Sequence, residues 1–294
     1  MRRRELLDHI TALATPIYGR GEAIQIALMI LEEMCGVSRT DLIIDPQKEA
    51  PLKDAERVFR EVAEGRPIQY IIGEADFFNL RIAVREGVLI PRPESEELIR
   101  WIANDSEEGA RVLDIGTGSG ALAIALRESI NRSKVTALDI SDEAIEIATE
   151  NIKRLAPSVK ITKGDALQGV ESYVSGEFDV IVSNPPYIPQ SEEVEMRINV
   201  TKYEPHLALF VPDNDPLIFY RSIARSALQL LSKTDESGKE NKSNESGKGG
   251  KLYFEIHERL LQETIDMLRA EGFANVKFRL DINDKPRMIC AQRE

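Results

Sequence analysis

The chain has 294 residues, of which 42% are hydrophobic and 30% charged, and a net charge of −12; this is the make-up of a globular protein with core enough for one large or two modest domains. No apolar run is long enough for a membrane helix, so no membrane partner is expected, and the acidic balance argues against nucleic acid as the main substrate, because phosphate binding draws on basic surface. Cys35 and Cys290 lie far apart, and His9, His206 and His257 are scattered; neither a disulfide nor a metal site is expected, and the surroundings read as reducing and cytoplasmic.

In chain order, Met1-Arg2-Arg3-Arg4 is followed by Glu5 and Asp8 instead of an apolar core, so no secretory leader is expected. Residues 1–72 read as a helical domain. Ala23, Ile24, Ile26, Ala27, Ile30, Leu31 and Met34 form a helical stripe closed by Gly36, and Pro51 to Glu64 repeats the pattern. Residues 73–93 read as a β-hairpin linker, with extended runs at 76–82 and 88–90 separated by Arg85-Glu86-Gly87. The α/β domain is placed at 94–294. Helices are expected from Glu94 to Ala103, Ala121 to Ser129 and Leu260 to Glu271, and also through Ala144, Ile147, Ala148 and Ile152 and through Tyr220, Ile223, Ala224, Ala227, Leu228 and Leu231. Strands are expected at 111–115, 135–140, 159–162, 178–183, 251–256, 276–282 and 288–292. Such alternation builds a mainly parallel sheet covered on both faces, and the short 283–286 link forces its last two strands to pair antiparallel. The Ser, Gly, Lys, Glu and Asn-rich stretch from Ser232 to Gly250 reads as a disordered surface insertion.

Three strand ends carry the chemistry of a nucleoside site. Asp114-Ile115-Gly116-Thr117-Gly118-Ser119-Gly120 turns from the first α/β strand into a helix, where glycines admit a close ligand and the helix start offers N–H donors. Gly116, Gly118 and Ala121 also satisfy a dinucleotide pattern, and Asp139, closing the next strand, suits the ribose of either ligand. The combination separates them. Asp165, closing the third strand ahead of Ala166, is placed for an adenine amino group, and Asp114 for the ammonium of a methionine moiety. A dehydrogenase has no evident use for that acid, whereas S-adenosylmethionine accounts for all of these residues.

The fourth α/β strand ends in Asn184-Pro185-Pro186-Tyr187. Two prolines stop the strand from running into a helix and leave the Pro185 carbonyl free to face the cleft. The Asn184 side-chain oxygen is a second acceptor. Together they suit both hydrogens of one –NH2 group, with Tyr187 stacking on its plane. Such orientation can supply on the order of 7–11 kcal/mol towards in-line transfer onto a poorly nucleophilic amide nitrogen. No strong base is needed, because the methylated nitrogen sheds its proton to water.

With Gly65-Arg66-Pro67-Ile68-Gln69-Tyr70, Ile90-Pro91-Arg92-Pro93-Glu94-Ser95-Glu96 and Tyr203-Glu204-Pro205 added, nearly the whole chain resembles the PrmC/HemK family, the protein-(glutamine-N5) methyltransferases of peptide chain release factors. The resemblance implies a class I S-adenosylmethionine-dependent methyltransferase fold: a Rossmann-like, mainly parallel seven-stranded sheet with an antiparallel last strand. A small N-terminal helical domain would grip the substrate protein. It further implies methylation of the glutamine of a Gly-Gly-Gln tip with release of S-adenosylhomocysteine; a monomer is expected. Gly116 to Gly120, Asp139, Ala166 and Asn184 would bind the cofactor, and Asn184 to Tyr187 the glutamine. Arg92 either contacts substrate or pairs with Glu94 or Glu96. Three stretches depart from the family pattern: Ala166 stands where relatives often have tryptophan, Glu255-Ile256-His257-Glu258-Arg259 replaces Glu-Ile-Gly-x-x-Gln, and Phe210-Val211-Pro212 interrupts a Gly-rich run. Alternative readings are a glutamine methyltransferase acting on a ribosomal protein, an adenine-N6 nucleic-acid methyltransferase, and a cofactor-bound interaction module.

Overall fold

The computed structural model describes residues 1–233 and 249–293. The chain begins with α1 (Arg3–Cys35), α2 (Arg39–Ile44), α3 (Ala55–Ala63) and α4 (Ile68–Ile72), then β1 (Glu74–Phe77) and β2 (Leu80–Ala83). Alternation follows through α5 (Pro93–Asp105), β3 (Arg111–Ile115), α6 (Ala121–Ser129), β4 (Lys134–Asp139), α7 (Asp142–Leu155), β5 (Lys160–Lys163) and β6 (Val180–Ser183). After these come β7 (Ile188–Pro189), α8 (Ile198–Thr201), β8 (Phe210–Val211), α9 (Ile218–Leu230), β9 (Lys251–Glu255), α10 (Leu261–Glu271), β10 (Ala274–Leu280) and β11 (Pro286–Gln292). Contacts divide the chain into two units. The first holds Met1–Glu74, Val84–Glu86 and Met196–Glu204, and the second Ala75–Ala83, Gly87–Glu195 and the chain from Pro205 onward.

The first unit is helical. Leu6, Ile10 and Ala14 line one face of α1, and Ala23, Ile26, Ala27, Ile30 and Leu31 continue the stripe. Between them Gly19 takes φ 73° and ψ 160°, which breaks the helix and re-aims its second half. Gly36 ends α1 in left-handed geometry, and Ser38 caps α2 through a reciprocal pair with Asp41. Val58, Val62, Ile68 and Ile71 of α3 and α4 close the same core. The 196–204 segment joins this unit across a long stretch of sequence: Arg197 pairs with Glu22 at 2.8 Å, and the Tyr203 hydroxyl donates to the Glu64 carbonyl at 3.3 Å.

The second unit holds a seven-stranded sheet in the order β10-β11-β9-β6-β3-β4-β5. All neighbours from β9 to β5 are parallel, and β11 runs antiparallel to both β9 and β10. The chain leaves β3 towards β4 on one side and returns to β6 on the other. The switch point between β3 and β6 is where such a sheet opens a ligand crevice beyond its strand ends. The hairpin lies elsewhere than the sequence suggests. It is β1 and β2, with Phe78 and Asn79 both at positive φ (50° and 60°) in the turn, while 88–90 forms no strand. Leu230, Ser232 and Gly250 carry the base of the Ser232–Gly250 stretch. Phe178 N–H donates to Leu230, Ser232 N–H to Phe178, and Gly250 N–H to Ser232, each at 2.8 Å. The reading of that stretch as disordered falls on 234–248, outside the described residues.

Candidate active site

Strand register assembles the site. Phe254, Ser183, Ile115 and Leu138 lie side by side across β9, β6, β3 and β4. The next residue of each strand therefore comes to the same edge: Glu255, Asn184, Gly116 and Asp139. The Ser183 hydroxyl donates to the Ile115 carbonyl at 2.6 Å and ties the two central strand ends together. A cleft opens here, lined by the 114–119 loop, Asp139, Asp165, Ala166, Asn184, Pro185, Pro186 and Arg92.

Gly116 turns the loop at φ 73°. Gly120 does not line the cleft: it starts α6 at φ 82°, where a Cβ would stand 3.3 Å from the Ala148 Cβ, so it serves the packing of α6 on α7. Asp114 is fully buried. Its Oδ2 accepts from the Thr117 hydroxyl at 2.6 Å, and its Oδ1 has no hydrogen-bond partner among the described residues. Burial pushes the carboxyl up to about 7, with the Thr117 hydroxyl opposing and Asp139 adding to the rise. A buried acceptor with no donor costs on the order of 1–3 kcal/mol or more, and a cationic ligand group would relieve it.

Asp139 accepts from Gly118 N–H at 2.8 Å and Ser141 N–H at 3.0 Å. Burial raises its carboxyl and those amides hold it down. Asp165 accepts from Leu167 N–H at 2.8 Å, and the Ala166 carbonyl accepts from the Ser222 hydroxyl at 2.6 Å. These carboxylates, the buried orphan oxygen and the close-approach loop fit the polar groups of S-adenosylmethionine.

Asn184, Pro185 and Pro186 line the cleft, but Tyr187 does not. The expected stacking face of Tyr187 is instead packed against the second unit's core. Its hydroxyl donates to Glu255 Oε1 at 3.2 Å, and its ring meets His257 edge-on at 6.0 Å. Arg92 lines the cleft, whereas Glu96 is taken by Arg100 at 2.8 Å and by Phe78 N–H at 2.9 Å.

Sequence reasoning gave no role in the site to three residues. Ser95 lines the cleft and donates to Glu255 Oε2 at 2.5 Å. A carboxylate at the end of an otherwise apolar strand was the available signal for Glu255. Buried Asn151 accepts from Ala83 N–H at 2.8 Å and donates to the carbonyls of Ala83 and Ser119 at 2.9 Å, bracing the glycine loop from α7.

The sheet order and its switch-point cleft define a class I methyltransferase fold. A methyltransferase from Pyrococcus furiosus shares that fold with a TM-score of 0.52, at 22% identity over 81% of this chain and 98% of that one. Residues 94–202 match the Methyltransferase small domain and residues 5–73 the PrmC N-terminal domain. The release factor glutamine methyltransferase of Flavobacterium psychrophilum is 39% identical over 95% of each chain. That of Bacteroides thetaiotaomicron is 38% identical over 94% of this chain and 95% of its own. The chain belongs to the release factor glutamine methyltransferase family, as its Asn-Pro-Pro-Tyr and Pro-Arg-Pro-Glu blocks led one to expect.

Among the described residues no helix is long and apolar enough to cross a membrane, and no cluster of metal-ligating side chains is found.

Proposed function

We propose that this protein is an enzyme that transfers a methyl group from S-adenosylmethionine to the side-chain nitrogen (N5) of the glutamine in the Gly-Gly-Gln motif of peptide chain release factors. The observation that carries this reading is that Asn184 and Pro185, each bearing a carbonyl acceptor, line the cleft beside the loop that follows Asp114. Family membership names the acceptor class.

S-adenosylmethionine, when bound, supplies a methyl group on a positively charged sulfur. Asp114 Oδ1 would take its ammonium, Asp139 its ribose hydroxyls, and the 165–167 turn its adenine. Thr117 and Ser119 keep the loop in place through Asp114 and Asn151. The Asn184 side-chain oxygen and the Pro185 carbonyl accept the two hydrogens of the glutamine amide and aim its nitrogen. Their neutrality suits a neutral acceptor, and orientation lowers the barrier without a base. One amide proton then leaves to water. Arg92, which lines the same cleft, would contact the incoming substrate.

The helical first unit, which coincides with the PrmC N-terminal match, supports recognition of the release factor as protein partner. We infer a monomer working in the cytoplasm. Mass spectrometry of a purified release factor after incubation with the enzyme and S-adenosylmethionine tests the reading. A gain of one methylene on the Gly-Gly-Gln peptide is expected. An unmodified glutamine, or methylation appearing on a ribosomal protein or on nucleic acid instead, would contradict it.

A further inference from the structure

Behind Asn184 lies a buried chain of hydrogen bonds that the transfer step does not itself use. Asn184 Nδ2 donates to Ser95 Oγ at 3.4 Å, Ser95 Oγ donates to Glu255 Oε2 at 2.5 Å, and Tyr187 OH donates to Glu255 Oε1 at 3.2 Å. Ser95 and Glu255 are each 1% exposed. The Tyr220 hydroxyl holds the Glu255 main chain by donating to its carbonyl at 3.2 Å.

Proton counting gives this chain a direction. A hydroxyl has one proton to give, and an ionised carboxylate only accepts. Glu255 draws the protons of both Ser95 and Tyr187. Ser95 Oγ, its proton committed, can meet Asn184 only as an acceptor. The Asn184 amide must therefore turn its –NH2 towards Ser95, which leaves its oxygen for the cleft. Reversed, the same amide would present two N–H groups to an incoming –NH2 and repel it. Burial raises the Glu255 carboxyl, while the Ser95 hydroxyl, the Arg287 guanidinium and the Tyr187 hydroxyl pull it back and Glu94 opposes them.

We propose that Ser95, Glu255 and Tyr187 are positioning residues, a buried relay that fixes which end of the Asn184 carboxamide faces the substrate. The inference rests on the carboxamide-clamp reading above and deepens it. It gives the tetrad's tyrosine a task away from the cleft, and it explains why an acid is kept in the apolar interior, where an unpaired charge is costly.

The test measures kcat and cofactor affinity for Ser95→Ala, Ser95→Thr, Glu255→Gln and Tyr187→Phe on a release factor substrate. Glu255→Gln keeps the volume but offers one acceptor and one –NH2 in place of two acceptors, so the Ser95 proton can turn back towards Asn184. It and Ser95→Ala are expected to lower kcat on the order of tenfold to a hundredfold, with cofactor affinity held within about twofold. Ser95→Thr, which keeps the hydroxyl, restores most of kcat, and Tyr187→Phe gives a smaller loss. In an Asn184→Ala background, Glu255→Gln lowers kcat no further, because the group it positions is gone. Wild-type kcat in Ser95→Ala and Glu255→Gln overturns the relay while leaving the function intact. An additive loss in the double variant, or parallel losses of kcat and cofactor affinity, overturns it as well. If the wild-type enzyme transfers no methyl to the glutamine, the underlying reading falls and the relay falls with it.

Discussion

Thr117 donates its hydroxyl to one carboxylate oxygen of Asp114 at 2.6 Å, and the other stands buried at the cleft with no hydrogen-bond partner among the described residues. An ammonium group placed there would pair with the carboxylate and favour its ionised form. Because burial pushes Asp114 up to about 7, cofactor affinity should rise as pH increases through about 7. Asp114→Asn, which keeps the shape and removes the charge, should weaken binding by on the order of tenfold to a hundredfold and flatten that pH dependence. Titration calorimetry at two pH values either side of 7 checks both effects. Unchanged affinity in the variant would remove Asp114 from the site.

The same shift sets a stability profile for the cofactor-free protein. The folded state holds the Asp114 proton more tightly than the unfolded chain, whose carboxyl titrates near 3.8. The contribution of Asp114 to stability is therefore full below that value, falls as pH rises towards about 7, and levels off above it. Asp139 is shifted in the same direction and contributes with the same sign. Urea midpoints should decline across this window, and Asp114→Asn should make the decline shallower. A variant that follows the wild-type slope would contradict the assignment.

Much of the second unit is legible because its apolar runs are short, bounded by Gly or Pro and spaced by helical stripes, so the expected strands and helices fall within three residues of those observed. The hairpin is misplaced because its turn is Phe78-Asn79, and a bulky aromatic at φ 50° carries none of the Gly or Asp-Gly marks that announce such turns. The glycine loop and the Asn184 corner show in sequence because each is contiguous. The Ser95–Glu255 bond does not, since its ends are 160 positions apart and only the sheet register brings them together. Tyr187 misleads for a related reason: a motif gives the order of side chains but not the face to which each turns. The return of 196–204 to the helical unit has no local mark at all.

Asn151 is a test of that hidden scaffolding. Asn151→Ala leaves the amide and carbonyl of Ala83 and the carbonyl of Ser119 without their buried partner. Stability should drop by roughly 3 kcal/mol, and cofactor affinity should weaken as the glycine loop loosens. Equilibrium unfolding and a binding titration on the same preparation report both effects. A loss below roughly 0.5 kcal/mol would mean the bracket carries little.

Ser183→Ala probes the tie between the central strand ends. Its hydroxyl bond to Ile115 is buried, so its removal should cost about 1–2 kcal/mol and lower kcat more than cofactor affinity, because Asn184 is the next residue. A urea series with steady-state kinetics distinguishes this from a neutral substitution.

The central claim is that Asn184 and Pro185 hold a carboxamide nitrogen for methylation. Its most direct measurement is single-turnover methyl transfer to a release factor by wild-type enzyme and Asn184→Ala, each saturated with S-adenosylmethionine, with cofactor affinity measured in parallel. The account predicts a loss in transfer rate on the order of a hundredfold or more, with cofactor affinity nearly unchanged. Equal transfer rates in the two proteins, or a loss confined to cofactor binding, would contradict it.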